Sequence, residues 1–391
     1  MHVFFKYILI PIWHWKYPPK PYYYSMPILI SWIFLILFWI AAVYSVSIHE
    51  SFVYSLKFLS ETSNYFYFNK HLLNILIATI VWLIVYKVPL NFVKKYKVVI
   101  FLGLLTLQLL VFTPIGIELQ WARWWLRIPW YGTLQPSEFF KLWFVIFFAW
   151  WIYRKKHILQ EARWYAAFLV FIWLVWILFL KIPDLWTMLI LAIVWFIMYR
   201  YGGWKLRHLI FIIVAWLIVW IWVWWQIPYV KSRLSYFINP SSDERGRWIW
   251  YQTEQALMSV GAWWFFGNWY WKGLQKFWYI PEAQSDFIFA AFSEEIWFMW
   301  NIVLIFFYTY IAYVFLRELP KVKDDYTRIF GVGIISTIII QMFVNIWVNI
   351  KILPLTWLTL PFISTGWTAL MVNVIQIVLM YKIIYKKERI S

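Results

Sequence analysis

The chain of 391 residues contains no cysteine. Disulfides, thiolate metal sites and a catalytic thiol are therefore excluded, and the redox compartment stays open. Charged residues are few, 13% of the chain against about 25% in soluble domains. Glycine is scarce as well, 12 residues where about 7% of a chain is usual. There is no GxxxxGK[ST] stretch, which excludes a P-loop nucleotide site, and no HExxH for a zincin. What abounds is apolar: 64% of residues are hydrophobic and 25% aromatic, with 35 Trp. Too little polar side chain remains to cover a water-exposed protein of this length. A soluble enzyme, a disordered chain and a collagen-like fibre are excluded, and an all-α polytopic membrane protein is predicted.

A membrane helix needs about 20 mostly apolar residues. Ten segments qualify: 28–46, 72–88, 97–113, 138–153, 163–180, 184–199, 206–226, 286–316, 328–350 and 358–381. Eight or nine spans is the alternative count. The charges between segments orient them, because cytoplasmic loops carry the Lys and Arg excess. Every second segment is basic. The basic ones hold Lys6, Lys16 and Lys20, then Lys87, Lys94, Lys95 and Lys97, then Arg154, Lys155, Lys156 and Arg163, then Arg200, Lys205 and Arg207, and finally the tail 382–391. The intervening segments nearly balance. Nearly all of the net charge of +18 thus falls on one face of the membrane. The reading is a single integral membrane domain over 1–391. Its 27 N-terminal residues and its tail 382–391 are cytoplasmic, and a large outer loop, 227–286, lies between spans seven and eight. No clustered basic face points to nucleic acid. The N-terminal apolar stretch is short, broken by Lys6 and followed by no small-residue cleavage site, so a cleaved signal peptide is not expected.

Chemistry is sought where ionisable groups meet apolar spans. The stretch PEAQSDFIFAAFSEE (281–295) sets Asp286 where the outer loop enters a span. Ser285 is expected to cap that helix, with Asp286 in its first turn. Helix-end electrostatics alone would account for such an Asp. A carboxylate at the membrane face could also act as a general base or hold a divalent cation. Glu294 and Glu295, two turns on, are expected to be packing or network groups rather than partners of Asp286. In QPSEFFK (135–141), Glu138 and Lys141 are spaced to pair across one helical turn. Gln341, Asn345 and Asn349 recur every four residues, and Asn373 and Gln376 share a face of the last span; interhelical hydrogen bonding explains both sets. Arg245, Arg247, Lys272, Lys276, Arg123 and Arg127 lie on the outer side, where basic residues need partners. Acidic residues of the loop, or a lipid-linked phosphate, could supply them. The six histidines (His2, His14, His49, His71, His157, His208) are scattered and read as surface residues.

Several long blocks, in order, then carry a resemblance. They are WLRIPWYGTLQPSEFFKL (125–142), PDLWT (183–187), KSRLSYFINP (231–240), QKFWYIPEAQSDFIFAAFSEEIWF (275–298) and NIKILPLTWLTLPFISTGWTAL (349–370). With them the chain resembles the SEDS proteins, the FtsW/RodA/SpoVE group of bacterial cell-shape and division proteins, from about residue 116 to 381. Residues 1–110 match only in hydropathy. The resemblance implies ten spans, a large outer loop between spans seven and eight, and a glycosyltransferase that polymerises lipid II into peptidoglycan at the outer face of the cytoplasmic membrane. It implies Asp286 as the catalytic carboxylate, in a block where Ser285 replaces the usual Thr and Gln284 stands where His is common. Arg123, Glu138, Lys141, Lys272, Lys276 and Glu282 follow as substrate-binding residues, with Trp125 beside Arg123. A class B penicillin-binding protein is the implied partner. A divalent cation, Mg or Mn, is the expected cofactor at the diphosphate, with no metal ligands assigned. A lipid II flippase and a non-catalytic scaffold for the transpeptidase are the alternatives. Asp286 would be dispensable in a scaffold, and a flippase would need a path past the bilayer midplane.

Against that family pattern, Trp repeatedly stands where Gly belongs: Trp186, Trp278, Trp297, Trp300, Trp357 and Trp367, Trp263, Trp264, Trp269 and Trp271 in GAWWFFGNWYWKG (261–273), and Trp121, Trp130 and Trp347. Glycine supplies positive φ and close helix contact, and an indole supplies neither. The expectation is that many of these positions are glycine in the native protein, encoded by UGA and written as Trp. Aromatic enrichment at membrane interfaces is the alternative.

Overall fold

The structure is a computed structural model that describes residues 22–58, 62–119, 122–129, 132–155, 173–203 (less 174, 176 and 183), 244–261, 283–295 and 298–388, with a few isolated positions between 214 and 280. The helices in chain order are α1 (Tyr22–Val46), α2 (Ile48–Phe58), α3 (Phe66–Lys87), α4 (Leu90–Leu109), α5 (Pro136–Lys155), α6 (Leu185–Tyr201), α7 (Glu244–Gly261), α8 (Ile288–Ser293), α9 (Phe298–Glu318), α10 (Asp325–Asn349) and α11 (Trp367–Glu388). Six of the described helices are long and apolar enough to cross a membrane: α1, α3, α4, α9, α10 and α11. The expected spans 138–153 and 184–199 correspond to α5 and α6. Those at 163–180 and 206–226 lie largely outside the described residues, as does most of the outer loop.

Local sequence sets several helix ends. Pro89 forces Val88 into an extended conformation, which ends α3 and starts α4. Pro136 opens α5, at the position where its missing N–H costs nothing. Asp184 caps α6 by accepting from the Thr187 N–H at 3.1 Å, and Asp324 caps α10 through the Thr327 N–H at 3.2 Å. Helices α10 and α11 form the centre, buried over most of their length, with α5 and α6 against α10. Helix α1 packs on α9 and α11, and α3 lies on α11 and α2 with much of its remaining surface exposed.

Three features depart from the sequence reading. First, the outer segment after α4 is not an irregular loop. It forms a small antiparallel sheet, β1 (Gly116–Leu119), β2 (Ala122–Ile128) and β3 (Gly132–Leu134), in that order. Gly116 opens it at a close approach, where a Cβ would stand 2.0 Å from the Val111 carbonyl oxygen. Second, the span expected over 286–316 is broken. A short buried α8 ends at Ser293, the buried Glu294 and Glu295 follow, and α9 begins at Phe298. In the break, the Glu295 carboxylate pairs with Lys276 Nζ at 2.5 Å and accepts from Ser45 Oγ at 2.5 Å. Third, the last helix starts at Trp367, not near 358. Residues 351–366 hold Pro354 and Pro361, and positive φ at Lys351, Trp357 and Phe362 takes the backbone out of any helix.

Candidate active site

Asp286 lies in the turn that runs into α8. Phe287 is the N-cap, so Asp286 stands just outside the helix rather than in its first turn, and Ser285 does not cap. The segment is fixed through its backbone. The Gln284 carbonyl accepts from the Thr365 N–H at 3.2 Å, and the Ser285 carbonyl accepts from Ser364 Oγ at 2.6 Å. The Asp286 carbonyl accepts from the side-chain amides of both Asn345 and Asn349, each at 3.0 Å. Three successive carbonyls are thereby held by α10 and by the loop before α11. Asn349 also accepts from the Ala290 N–H at 3.1 Å, which ties the start of α8 to α10. The four-residue spacing read as interhelical bonding thus serves the Asp286 turn, with Gln341 one turn away in a related role.

That role runs through the buried pair. Lys141 Nζ donates to Glu138 Oε1 at 2.8 Å and to Gln341 Oε1 at 2.6 Å; Gln341 Nε2 donates to the Thr359 carbonyl at 2.9 Å. Glu138 and Lys141 are almost wholly buried and do not line the cavity described below. In the structure they hold Gln341, which holds Thr359. A buried pair satisfied on both sides fixes α5 against α10.

The half-buried Asp286 opens on a cavity of about 390 Å³. Its walls include Ser285, Thr359, Thr365 and Gln135, the indoles of Trp124, Trp125, Trp357 and Trp367, and, from α3, Tyr67, Lys70, His71 and Asn74. The cavity combines a carboxylate, hydroxyls, a cation and four aromatic faces, a lining suited to a sugar with a charged appendage.

The other expected substrate residues fall elsewhere. The Arg123 guanidinium donates through Nε and one terminal nitrogen to the Thr113 carbonyl at 2.6 Å and to that of Gly116 at 3.1 and 3.2 Å, so it braces the turn into β1. Lys276 is buried against Glu295, and its Nζ also donates to Ser45 Oγ at 2.9 Å. Lys276 is a cation in a low-dielectric region held by the nearest protein acceptors, whereas Arg123 is exposed and reaches backbone carbonyls from the surface. Lys272 and Glu282 lie outside the described residues, as do Trp278, Trp297 and the Trp-rich stretch 262–272. Missed altogether was the α3 wall. His71, read as a surface residue, is 2% exposed, with its ring 3.7 Å from that of Trp39. A Lys–His pair at the mouth of an apolar span was the available signal.

No group of three or more His, Cys, Asp or Glu able to hold a metal occurs among the described residues. Asp286 with neighbouring hydroxyls is a donor set that suits Mg²⁺ only when substrate phosphate oxygens complete the shell.

Residues 28–389 match the cell cycle protein family FtsW/RodA/SpoVE. The chain is 31% identical to stage V sporulation protein E of Bacillus subtilis over 266 residues, 68% of this chain and 72% of that protein. It is 29% identical over 330 residues to a probable peptidoglycan glycosyltransferase FtsW of Trichlorobacter lovleyi, 82% of this chain and 85% of that one. Among solved structures, a chain of a peptidoglycan synthase complex described as coordinating polymerization and crosslinking superposes with a TM-score of 0.71 at 19% identity, covering 91% of this chain and 97% of that one. The rod shape determining protein RodA of Thermus thermophilus superposes with a TM-score of 0.64 at 18% identity, covering 91% and 96%.

Proposed function

The chain belongs to the FtsW/RodA/SpoVE family of cell cycle proteins, and from that premise we propose that it is a peptidoglycan glycosyltransferase that polymerises lipid II. The observation that carries the assignment of chemistry is the Asp286 turn: three consecutive carbonyls are locked, and the carboxylate borders an aromatic-walled cavity. In this reading a sugar hydroxyl of the acceptor attacks the anomeric carbon of the lipid-linked donor. The new C–O bond forms as the bond from that carbon to the diphosphate breaks, and the diphosphate leaves with the electron pair. The attacking hydroxyl's proton passes to the Asp286 carboxylate. Fixing the turn holds the base in one geometry, which is where an enzyme gains from prepaid orientation. The leaving group is already an anion, so positive charge rather than a protein acid serves it. Asp286 would be the residue to hold a Mg²⁺ or Mn²⁺, which would supply part of that charge.

The protein is a multi-pass membrane protein of the cell wall machinery. We place its cavity toward the outer face of the cytoplasmic membrane and both termini in the cytoplasm, on the sidedness of its Lys and Arg. A class B penicillin-binding protein is the proposed partner, supported by the similarity to a chain of a synthase complex. The test is lipid II polymerisation by the purified protein with its transpeptidase. Wild type should yield glycan chains, and Asp286→Ala, with an unchanged melting temperature in detergent, should lose about 100-fold or more of the rate. Equal rates in the two proteins would remove Asp286 from the chemistry.

A further inference from the structure

The proposed reaction expels a diphosphate, and the cations expected to receive it are occupied. Arg123 bonds backbone carbonyls, Lys141 bonds Glu138 and Gln341, and Lys276 bonds Glu295 and Ser45. None of the three lines the cavity that holds Asp286. Lys70 does. It comes from the first turns of α3, in the part of the chain where the sequence offered only hydropathy.

Lys70 is half-buried and makes no ion pair among the described residues. Its Nζ lies over Gly132 of β3, 3.9 Å from where a Cβ would be. Gly132 has φ +137°, so the turn into β3 both requires glycine and leaves the ammonium uncovered by a side chain. A lysine withdrawn from water without a counter-charge is costly, and such groups in membrane proteins usually await a ligand. Beside it, the buried His71 has an Nε2 without a hydrogen-bond partner, and Asn74 lies one turn further along the same wall. The same cavity is lined by Ser285 and Asp286 and by the Trp124 and Trp125 indoles.

We propose that Lys70 is the cation that binds the diphosphate of the lipid-linked glycosyl donor. This assignment rests on the glycosyltransferase reading and deepens it: donor headgroup on the α3 wall, base on the α8 turn, sugar rings on the Trp124 and Trp125 indoles. An ammonium is a point charge with three donors, suited to following a diphosphate from ester to leaving group. An anion there replaces the missing counter-charge, and on departure of the product the site returns to its uncompensated state.

The experiment measures binding and turnover separately. The probe is undecaprenyl diphosphate in detergent, with undecaprenol and inorganic diphosphate as parallel arms, on the full-length protein carrying Asp286→Ala so that nothing turns over. Lys70→Met should weaken undecaprenyl diphosphate binding by about tenfold or more, and Lys70→Arg should stay within about threefold of the parent. Undecaprenol binding should be equal in all three. Inorganic diphosphate should compete with the probe in the parent and fail to do so in Lys70→Met, which assigns the contact to the headgroup. In the otherwise wild-type protein, Lys70→Met should raise the KM for lipid II at unchanged melting temperature, and Lys70→Arg should restore it. Equal affinity for the diphosphate in the parent and Lys70→Met overturns the proposal, whatever the polymerase assay gives. Loss of diphosphate binding in Lys70→Met from a protein that never polymerises lipid II would leave the binding site standing and overturn the reaction assigned to it.

Discussion

Trp357 adopts φ +53°, in the left-handed region where an L side chain costs about 1–2 kcal/mol and glycine costs nothing. It is also one of the positions where the family pattern has glycine. The other described members of that set differ. Trp300 and Trp347 are exposed on α9 and α10, and Trp186 lies within α6 with ordinary helical dihedrals. At position 357 the backbone itself asks for glycine. The indole there packs on Trp124, ring centroids 5.3 Å apart, and narrows the cavity beside Asp286. Glycine would relieve the strain and widen the sugar-binding space together. Peptide mass spectrometry of the protein from its native cells is therefore expected to find glycine at 357; a tryptophan-containing peptide would defeat the reading of UGA as glycine at this codon. At this scale Asp286 was legible because its block is long and its place at a span boundary unusual. Lys70 was not, because what marks it is a distant strand and a turn that no local pattern connects to it.

Between elements, the sequence disclosed where apolar runs lie and left unstated where they break. The 286–316 run has hydropathy enough for one helix. At the break Glu295 meets Lys276 and Ser45 on α1, a partner 250 residues away. The sheet over 116–134 was hidden for a related reason: mixed Trp, Arg and Leu give no clean alternation, and Gly116 acts through its contact with Val111. At the opposite end of α10, the Asp324 cap shows how an element boundary carries a pH dependence. Partial burial pushes its carboxyl up, but the Lys94 ammonium of α4 and the Thr327 donors outweigh that and bring it below the usual value. The folded carboxyl thus releases its proton at lower pH than the unfolded one. Its contribution is complete above the unfolded value of about 3.9 and is lost as pH falls through the lower folded value. Because both side chains are about a third exposed, solvent limits the effect to about 1 kcal/mol or less. Thermal unfolding in detergent from pH 3 to 6 should show wild type losing its margin over Asp324→Asn only below about pH 4. A constant difference across that range would dissociate the cap from the titration.

Across the whole molecule, one buried group joins the beginning of the chain to the site. Ser45 ends α1, Lys276 comes from the outer loop, and Glu295 follows α8; the three side chains are each buried to 2% exposure or less and bonded to one another. Through this cluster the position of α1 is set against the segment that bears Asp286, nine residues before Glu295. Gly273 permits it, since a Cβ there would come within 2.8 Å of Glu295 Cγ and 3.1 Å of a Glu294 carboxylate oxygen. Removing only the cation leaves a carboxylate in a low-dielectric region, and such changes cost about 3–5 kcal/mol; replacing both charges by apolar groups of similar volume is often neutral. Lys276→Met should therefore lower the unfolding temperature in detergent sharply, and Lys276→Met with Glu295→Leu should recover most of the loss. Polymerase activity should separate the two roles this lysine has been given. A double variant that folds and still polymerises lipid II at near the wild-type KM makes Lys276 a structural cation, whereas a double variant that folds but has lost lipid II affinity would return it to the substrate site.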